Sequence, residues 1–238
     1  MNTQDVELGF LALPDRGACP GIALIHDVWG LSAHARDIAQ RLADEGFAAL
    51  ALDLYRRLDA VAIEDPGAWM RALSDPQVLG DVQAAVEFLA KQPITQGRGI
   101  GAIGFCMGGM YALMAAARCS GLRASVAFYG LLSHQHGILH SDAGLDPERK
   151  PHEPLALASE LRCPLLAFYG DRDEFVPLAD IELLKQRLAR SGQPAEVVVY
   201  PGAGHAFMND TRPAAFRPEI AASAWSRMLA FLREQLER

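Results

Sequence analysis

The chain has 238 residues, half of them hydrophobic, and a formal net charge of −7. That length suits a single large α/β domain rather than two, and the apolar share is ample for a sizeable core. The mild acidity, with no large Lys/Arg cluster, excludes a nucleic-acid-binding face, and no apolar run approaches the length of a membrane span. The N-terminus, MNTQDVELGF, has neither the basic nor the apolar region of a secretory signal. Cys19, Cys106, Cys119 and Cys163 match no disulfide framework and no CxxC metal site. The expectation is a reduced, cytoplasmic protein, a monomer or small homo-oligomer, with no cofactor.

Strand-like and helix-like stretches alternate. GIALIHD (21–27) reads as a buried strand. Ala35, Ile38, Ala39, Leu42 and Ala43 then fall on one face of a helix, with Ser32 as N-cap and Gly46 beyond its end. FAALALDL (47–54) is a second buried strand, and Asp75-Pro76 opens a helix whose inward stripe is Val82, Ala85, Val86 and Leu89. GIGAIGF (99–105) is a strand, MGGMYALMAAARC (107–119) a helix, and ASVAFYG (124–130) and PLLAFYG (164–170) are strands. Leu178, Ile181, Leu184 and Leu188 mark a further helix, and AEVVVYPG (195–202) is the last clear strand. The closing helix starts near Pro218 and turns Trp225, Met228, Leu229 and Leu232 inward. This order predicts a mostly parallel sheet with helices on both faces. The polar stretch 133–162 is either a cap over a site or a surface insertion with a little helix of its own.

Such sheets bind ligands at the carboxyl ends of their strands. GFCMGG (104–109) resembles a strand–turn–helix elbow of the G-x-S-x-G kind with cysteine at the apex. Gly104 and Gly108 allow the tight turn, Gly109 lets the helix lie close to the sheet, and Cys106 stands at the helix N-terminus, where the dipole favours a thiolate. Asp173 follows a later strand and His205 the last one, the order that nucleophile, acid and base take on this fold. Taken singly, His205 is a loop histidine and Asp173 a helix cap, and Asp171 competes for either job. Trp29, Phe105, Tyr129, Phe207 and Tyr55 are aromatic candidates for a pocket wall, with core packing the better reading for Phe105 and an even alternative for the others. Gly99, Gly101 and Gly104 spell GxGxxG, but they fall inside a strand, which argues against a nicotinamide-dependent oxidoreductase. His134, His136, His140 and His152 form no compact ligand pattern, so no metal is expected.

GFCMGG, YGDRDEFVP (169–177), GAGHAFMND (202–210) and the stretch 26–55 together resemble the dienelactone hydrolase family, a branch of the α/β-hydrolase fold with a cysteine nucleophile. The likeness runs from about residue 5 to the final helix. It implies hydrolysis of a small ester or lactone, as by a carboxymethylenebutenolidase, through Cys106, His205 and Asp173 rather than Asp171. It also implies an oxyanion hole from the backbone N–H groups of Val28 and Met107. The chain departs from the family pattern in three respects. Asp27 stands where a glutamate normally modulates the thiol. Asn209 stands where an arginine four residues after the histidine holds a substrate carboxylate. No residue aligns with the second clamping arginine: Arg56, Arg57 and Arg71 are candidates, with a solvated surface role the better reading for each. A hydrolase-fold binding protein without catalysis is the remaining reading, opposed by the intact Cys, Asp and His set.

Overall fold

The computed structural model describes residues 1–15, 17–58 and 62–237. In chain order the elements are β1 (Asn2–Val6), β2 (Gly9–Leu13), β3 (Gly21–Ile25), α1 (Ala33–Asp44), β4 (Ala48–Leu52), α2 (Pro66–Ala72), α3 (Asp75–Ala90) and β5 (Ile100–Phe105). Then follow α4 (Met107–Arg118), β6 (Leu122–Phe128), α5 (Pro154–Leu157), β7 (Leu165–Gly170), α6 (Leu178–Leu188), β8 (Ala195–Tyr200) and α7 (Pro218–Leu236). The strands form one sheet in the order β1-β2-β4-β3-β5-β6-β7-β8. All pairs from β4 to β8 are parallel, while β1 and β2 form an antiparallel hairpin on the β4 side.

The hairpin is absent from the sequence-based prediction. NTQDV is an exposed edge strand without apolar alternation, and GFLAL is buried between β1 and β4, with Leu11 in one core layer and Phe10 and Ala12 in the other. The other strands and the long helices fall where predicted, with ends shifted by a residue or two. Ser32 caps α1 by accepting the Ala35 N–H at 3.3 Å, and Gly46 takes φ 92°, a value suited to glycine. At α6 the inward stripe starts one turn late, because Leu178 is half exposed while Ile181, Leu184 and Leu188 are buried.

One apolar layer lies between the sheet and α3, α4 and α6, the other between the sheet and α1 and α7. From Met107 to Ala117 every residue of α4 is buried, as expected of a helix that is apolar all round. Among these the polar exception is Tyr111, whose hydroxyl donates to Asp75 Oδ1 at 2.8 Å. Lys150 Nζ reaches the same oxygen at 2.6 Å, and the pair is almost fully buried. Burial pushes the Lys150 pKa down, against the pull of Asp75. Lys150 belongs to the stretch 133–162, which is therefore tied into the protein. Asp75 N–H also bonds the Arg149 carbonyl at 2.8 Å, and Arg71 holds the Ile138 carbonyl at 2.6 Å.

From β3 the chain moves one way to β4, then crosses back to β5 on the other side. The carboxyl ends of β3 and β5 thus form a topological switch point, the place where open α/β sheets bind ligands. Register pairs Ile25 with Gly104, so the loop after β3 lies beside Cys106. Among the described residues, no helix is long and apolar enough to cross a membrane.

Candidate active site

Cys106 joins β5 to α4 with φ 55° and ψ −117°, outside the regions open to ordinary residues without strain. Its N–H bonds the Phe128 carbonyl at 3.0 Å, and its carbonyl takes the Met110 N–H at 3.0 Å, which holds the turn. The elbow closes only because its flanks lack side chains. A Cβ on Gly104 would overlap the Gly108 carbonyl, and one on Gly108 would overlap the Ile25 carbonyl. Among the described non-glycine residues, Cys106, Tyr129 and Ala206 are those with positive φ, and all three line one cleft. Such conformations cost on the order of 1–3 kcal/mol each and concentrate at functional sites.

The same cleft receives Asp27, Trp29, Phe105, His205, Asn209 and Arg212. Asp173, at the end of β7, uses its two carboxylate oxygens differently. Oδ1 accepts the Phe175 N–H at 2.9 Å and the Val176 N–H at 3.2 Å. Oδ2 meets His205 Nδ1 at 2.9 Å. Asp171 instead accepts the Gly202 N–H at 2.7 Å, so the competition between the two aspartates resolves in favour of Asp173 as the partner of His205. The His205 ring is held by the edges of Tyr129 and Phe175, each with its centroid 4.9 Å away. Its Nε2 is buried and meets no partner at ordinary hydrogen-bond geometry. Burial alone would lower the His205 pKa, but the charge of a Cys106 thiolate and the Asp173 carboxylate outweigh it and push the value up to about 10. Asp173 thus holds the His205 ring, and His205 and Cys106 line the same cleft.

Other cysteines lack this setting. Cys19, Cys119 and Cys163 are buried, and burial pushes the Cys119 and Cys163 thiols up to about 11 and about 12. Cys106 is half-buried.

Val28 and Met107 are the oxyanion donors that the family resemblance implies, one in the loop after β3 and the other directly after Cys106. Met107 is the first residue of α4, so its N–H has no acceptor within the helix. Among the described residues no acceptor takes the Val28 N–H either, whereas the Trp29 N–H is satisfied by Asp27 Oδ1 at 2.9 Å. Asp27 thus lines the cleft and orders its own loop, and no described hydrogen bond joins it to Cys106. His26 fixes the loop further. Nδ1–H donates to the Asp27 carbonyl at 2.5 Å and Nε2 accepts the Leu54 N–H at 3.2 Å. Burial lowers the His26 pKa and favours this neutral tautomer.

Five of the pocket candidates, Phe207, Tyr55, Arg56, Arg57 and Arg71, lie outside the cleft lining. Phe207 is fully buried edge-on to Tyr129 and Tyr200, outside the cleft lining. Tyr55 likewise lies behind the loop after β3 rather than in the cleft. Neither Arg56 nor Arg57 clamps a substrate, because both grip Asp81 in bidentate pairs of 2.7–3.0 Å. Burial opposes ionisation of Asp81, but the two guanidiniums outweigh it and hold its pKa below the usual carboxylate range. Arg71 is spent on the Ile138 carbonyl. No described residue of 133–162 lines the cleft, and its histidines are dispersed, His136 against Asp180 at 2.9 Å and His140 against Asp142 at 3.1 Å. Asn209 does line the cleft, with its side-chain oxygen committed to Thr211.

The cation that sequence reasoning missed is Arg212. Its guanidinium lies 5.3 Å above the Trp29 ring at the cleft mouth and makes no ion pair with a described residue. The turn closed by its N–H to the Asn209 carbonyl at 3.1 Å brings it back over the site. Its place in the loop after His205 was the available signal. Gly101 and Gly104 lie within β5, and Gly101 packs under α7 against Leu232 and Leu236, so the GxGxxG string shapes strand and helix packing rather than a phosphate loop.

Comparison with known proteins agrees with this geometry. The model of the dienelactone hydrolase family matches residues 8–236. A Bradyrhizobium protein named "Probable 2-oxo-3-(5-oxofuran-2-ylidene)propanoate lactonase" is 34% identical over 233 residues, covering 96% of this chain and 90% of the relative. A "Putative carboxymethylenebutenolidase" of Escherichia coli K12 is 33% identical over 223 residues, covering 92% and 78%. The crystal structure of a "Putative Dienelactone Hydrolase" from Klebsiella pneumoniae superposes with a TM-score of 0.82 at 32% identity, covering 93% of this chain and 90% of that one. A cysteine elbow at the switch point of an eight-stranded α/β-hydrolase sheet, matched along almost the whole chain, makes this protein a hydrolase of the dienelactone hydrolase family.

Proposed function

We propose that the protein hydrolyses a small lactone or ester through Cys106, His205 and Asp173. The observation that carries this reading is the Asp173–His205 hydrogen bond of 2.9 Å in the cleft that His205 shares with Cys106, beside two backbone N–H groups with no described acceptor. The Cys106 thiolate attacks the carbonyl carbon, and the C=O π pair moves onto oxygen. The Val28 and Met107 N–H groups hold that oxyanion, each such donor contributing about 3 kcal/mol to the transition state. Collapse breaks the C–O bond to the alcohol or enolate, which takes its proton from the His205 imidazolium. A thioester remains; with a lactone the opened ring stays attached through it. Neutral His205 then takes a proton from water as the water oxygen attacks the thioester. The acid departs, and the thiolate and the imidazolium are restored.

Arg212 over Trp29 suits a substrate that carries an acid group, as the name of the Bradyrhizobium relative describes for its own substrate. Asp27 acts on the thiol through space, one of its oxygens being engaged by the Trp29 N–H. The site needs no cofactor for this chemistry. A reducing compartment such as the cytoplasm suits the four thiols, and a monomer or small homo-oligomer would serve. Turnover of p-nitrophenyl acetate and of an acid-bearing enol lactone, compared between the parent and Cys106→Ala, tests the reading. We expect at least a thousandfold loss with the fold intact; retained turnover overturns it.

A further inference from the structure

The two oxyanion donors belong to separate elements, Val28 to the loop after β3 and Met107 to the start of α4. Nothing covalent sets the gap between them. Tyr55, in the loop after β4, bridges both residues from outside the cleft. Its hydroxyl donates to the Val28 carbonyl at 2.9 Å and stands 3.7 Å from Met107 Sδ. Carbonyl and N–H of Val28 flank one Cα, so holding the first limits rotation of the second. The Tyr55 side chain is itself fixed. Its N–H bonds Asp53 Oδ1 at 2.9 Å, and its ring meets the edges of His26 at 5.0 Å and Trp69 at 5.5 Å. Burial raises the Tyr55 pKa, so the hydroxyl keeps its proton and remains a donor.

We infer that Tyr55 is a positioning residue that sets the separation and aim of the two oxyanion donors through its contacts with Val28 and Met107. The inference rests on the proposed role of those two N–H groups. It separates two reactions of the same sulfur. Acylation by p-nitrophenyl acetate builds an oxyanion and needs the hole. Alkylation by iodoacetamide forms an S–C bond as iodide leaves and needs only the thiolate.

In Tyr55→Phe we expect kcat/KM for p-nitrophenyl acetate to fall about tenfold to thirtyfold, less than the 10²–10³ of losing a donor outright. The loss should appear in kcat with KM within twofold, and the iodoacetamide rate should stay within twofold across pH 6–9. An unchanged acylation rate, or an equal fall in both reactions, overturns the inference. Met107→Leu gives a second test should the phenylalanine variant fail to fold. It removes the sulfur contact alone, and a roughly threefold slower acylation with unchanged alkylation supports the bridge, while unchanged acylation overturns it. The proposed function fails separately, and recognisably, if Cys106→Ala still turns over the ester.

Discussion

Asp173→Asn tests the catalytic line at its most constrained point. The two oxygens of Asp173 have different partners, two backbone N–H groups on Oδ1 and His205 Nδ1 on Oδ2. An asparagine of the same shape must choose which end to present to each. An NH2 turned toward Phe175 and Val176 would face two donors in a buried site and strand both, at about 1–3 kcal/mol per unsatisfied group. The amide oxygen therefore stays on the backbone and the NH2 faces His205. Nδ1 must then accept, and the imidazole proton moves to Nε2, the nitrogen that has to take protons from thiol and water. The wrong tautomer costs a triad about 10⁴ in kcat, or roughly 5.5 kcal/mol at 1.36 kcal/mol per tenfold. KM should stay within a few-fold, because Asp173 does not line the cleft. The assay is steady-state hydrolysis of p-nitrophenyl acetate at pH 7.5, with Asp171→Asn as the companion. Asp171 accepts the Gly202 N–H and lies 3.9 Å from the exposed Arg172 guanidinium, away from His205, so its loss should cost less than about tenfold. A variant Asp173→Asn with more than a tenth of the parent kcat, or a larger loss at Asp171, would refute the reasoning.

Arg212→Ala should raise KM for an acid-bearing aryl ester by about tenfold, the strength of one charge-assisted contact at a partly wet mouth, and leave p-nitrophenyl acetate within twofold. Added salt should shrink the parent's preference for the acidic ester. Lys150→Met strands the buried Asp75 carboxylate and should cost about 3–5 kcal/mol, a melting point lower by roughly 6–10 °C for a chain of this size. A calorimetric melting point within about 2 °C of the parent contradicts the ion-pair account. His205 has its folded pKa raised to about 10. Its contribution to stability is complete below the unfolded value near 6.5 and is lost as pH rises through about 10. The urea midpoint should therefore decline from pH 6.5 to 10, and decline less in His205→Ala.

Much of the site was legible in residue order alone. Cys106, Asp173 and His205 each follow a strand, and parallel strands bring all such ends to one edge. Ser32 and Gly46 were readable as caps because capping is local chemistry. What the sequence hid depends on where side chains turn after the backbone is set. Phe207 and Tyr55 carry the composition of pocket residues, yet one fills the core and the other braces a loop from behind. Lys150 sits in a polar stretch that looks like surface, and only tertiary contact with Asp75 and Tyr111 makes its burial tolerable. Arg212 reaches the cleft through a turn closed by its own backbone. The hairpin of β1 and β2 was invisible because β1 is polar and β2 pairs with a strand distant in the chain.

The uneven burial of the four thiols gives the chain a gauge of its own assembly. In the native protein Cys106 is the half-buried one, in the cleft it shares with His205, while Cys19, Cys119 and Cys163 are shut inside. That setting exists only after β3 and β5 pair and bring the loop after β3 alongside the elbow. A nascent or misassembled chain presents all its thiols to solvent on equal terms, each with the modest reactivity of free cysteine. Brief labelling should therefore mark one fast site in finished molecules and several slow ones in unfinished molecules. Folding yield can be counted by mass, molecule by molecule, without substrate.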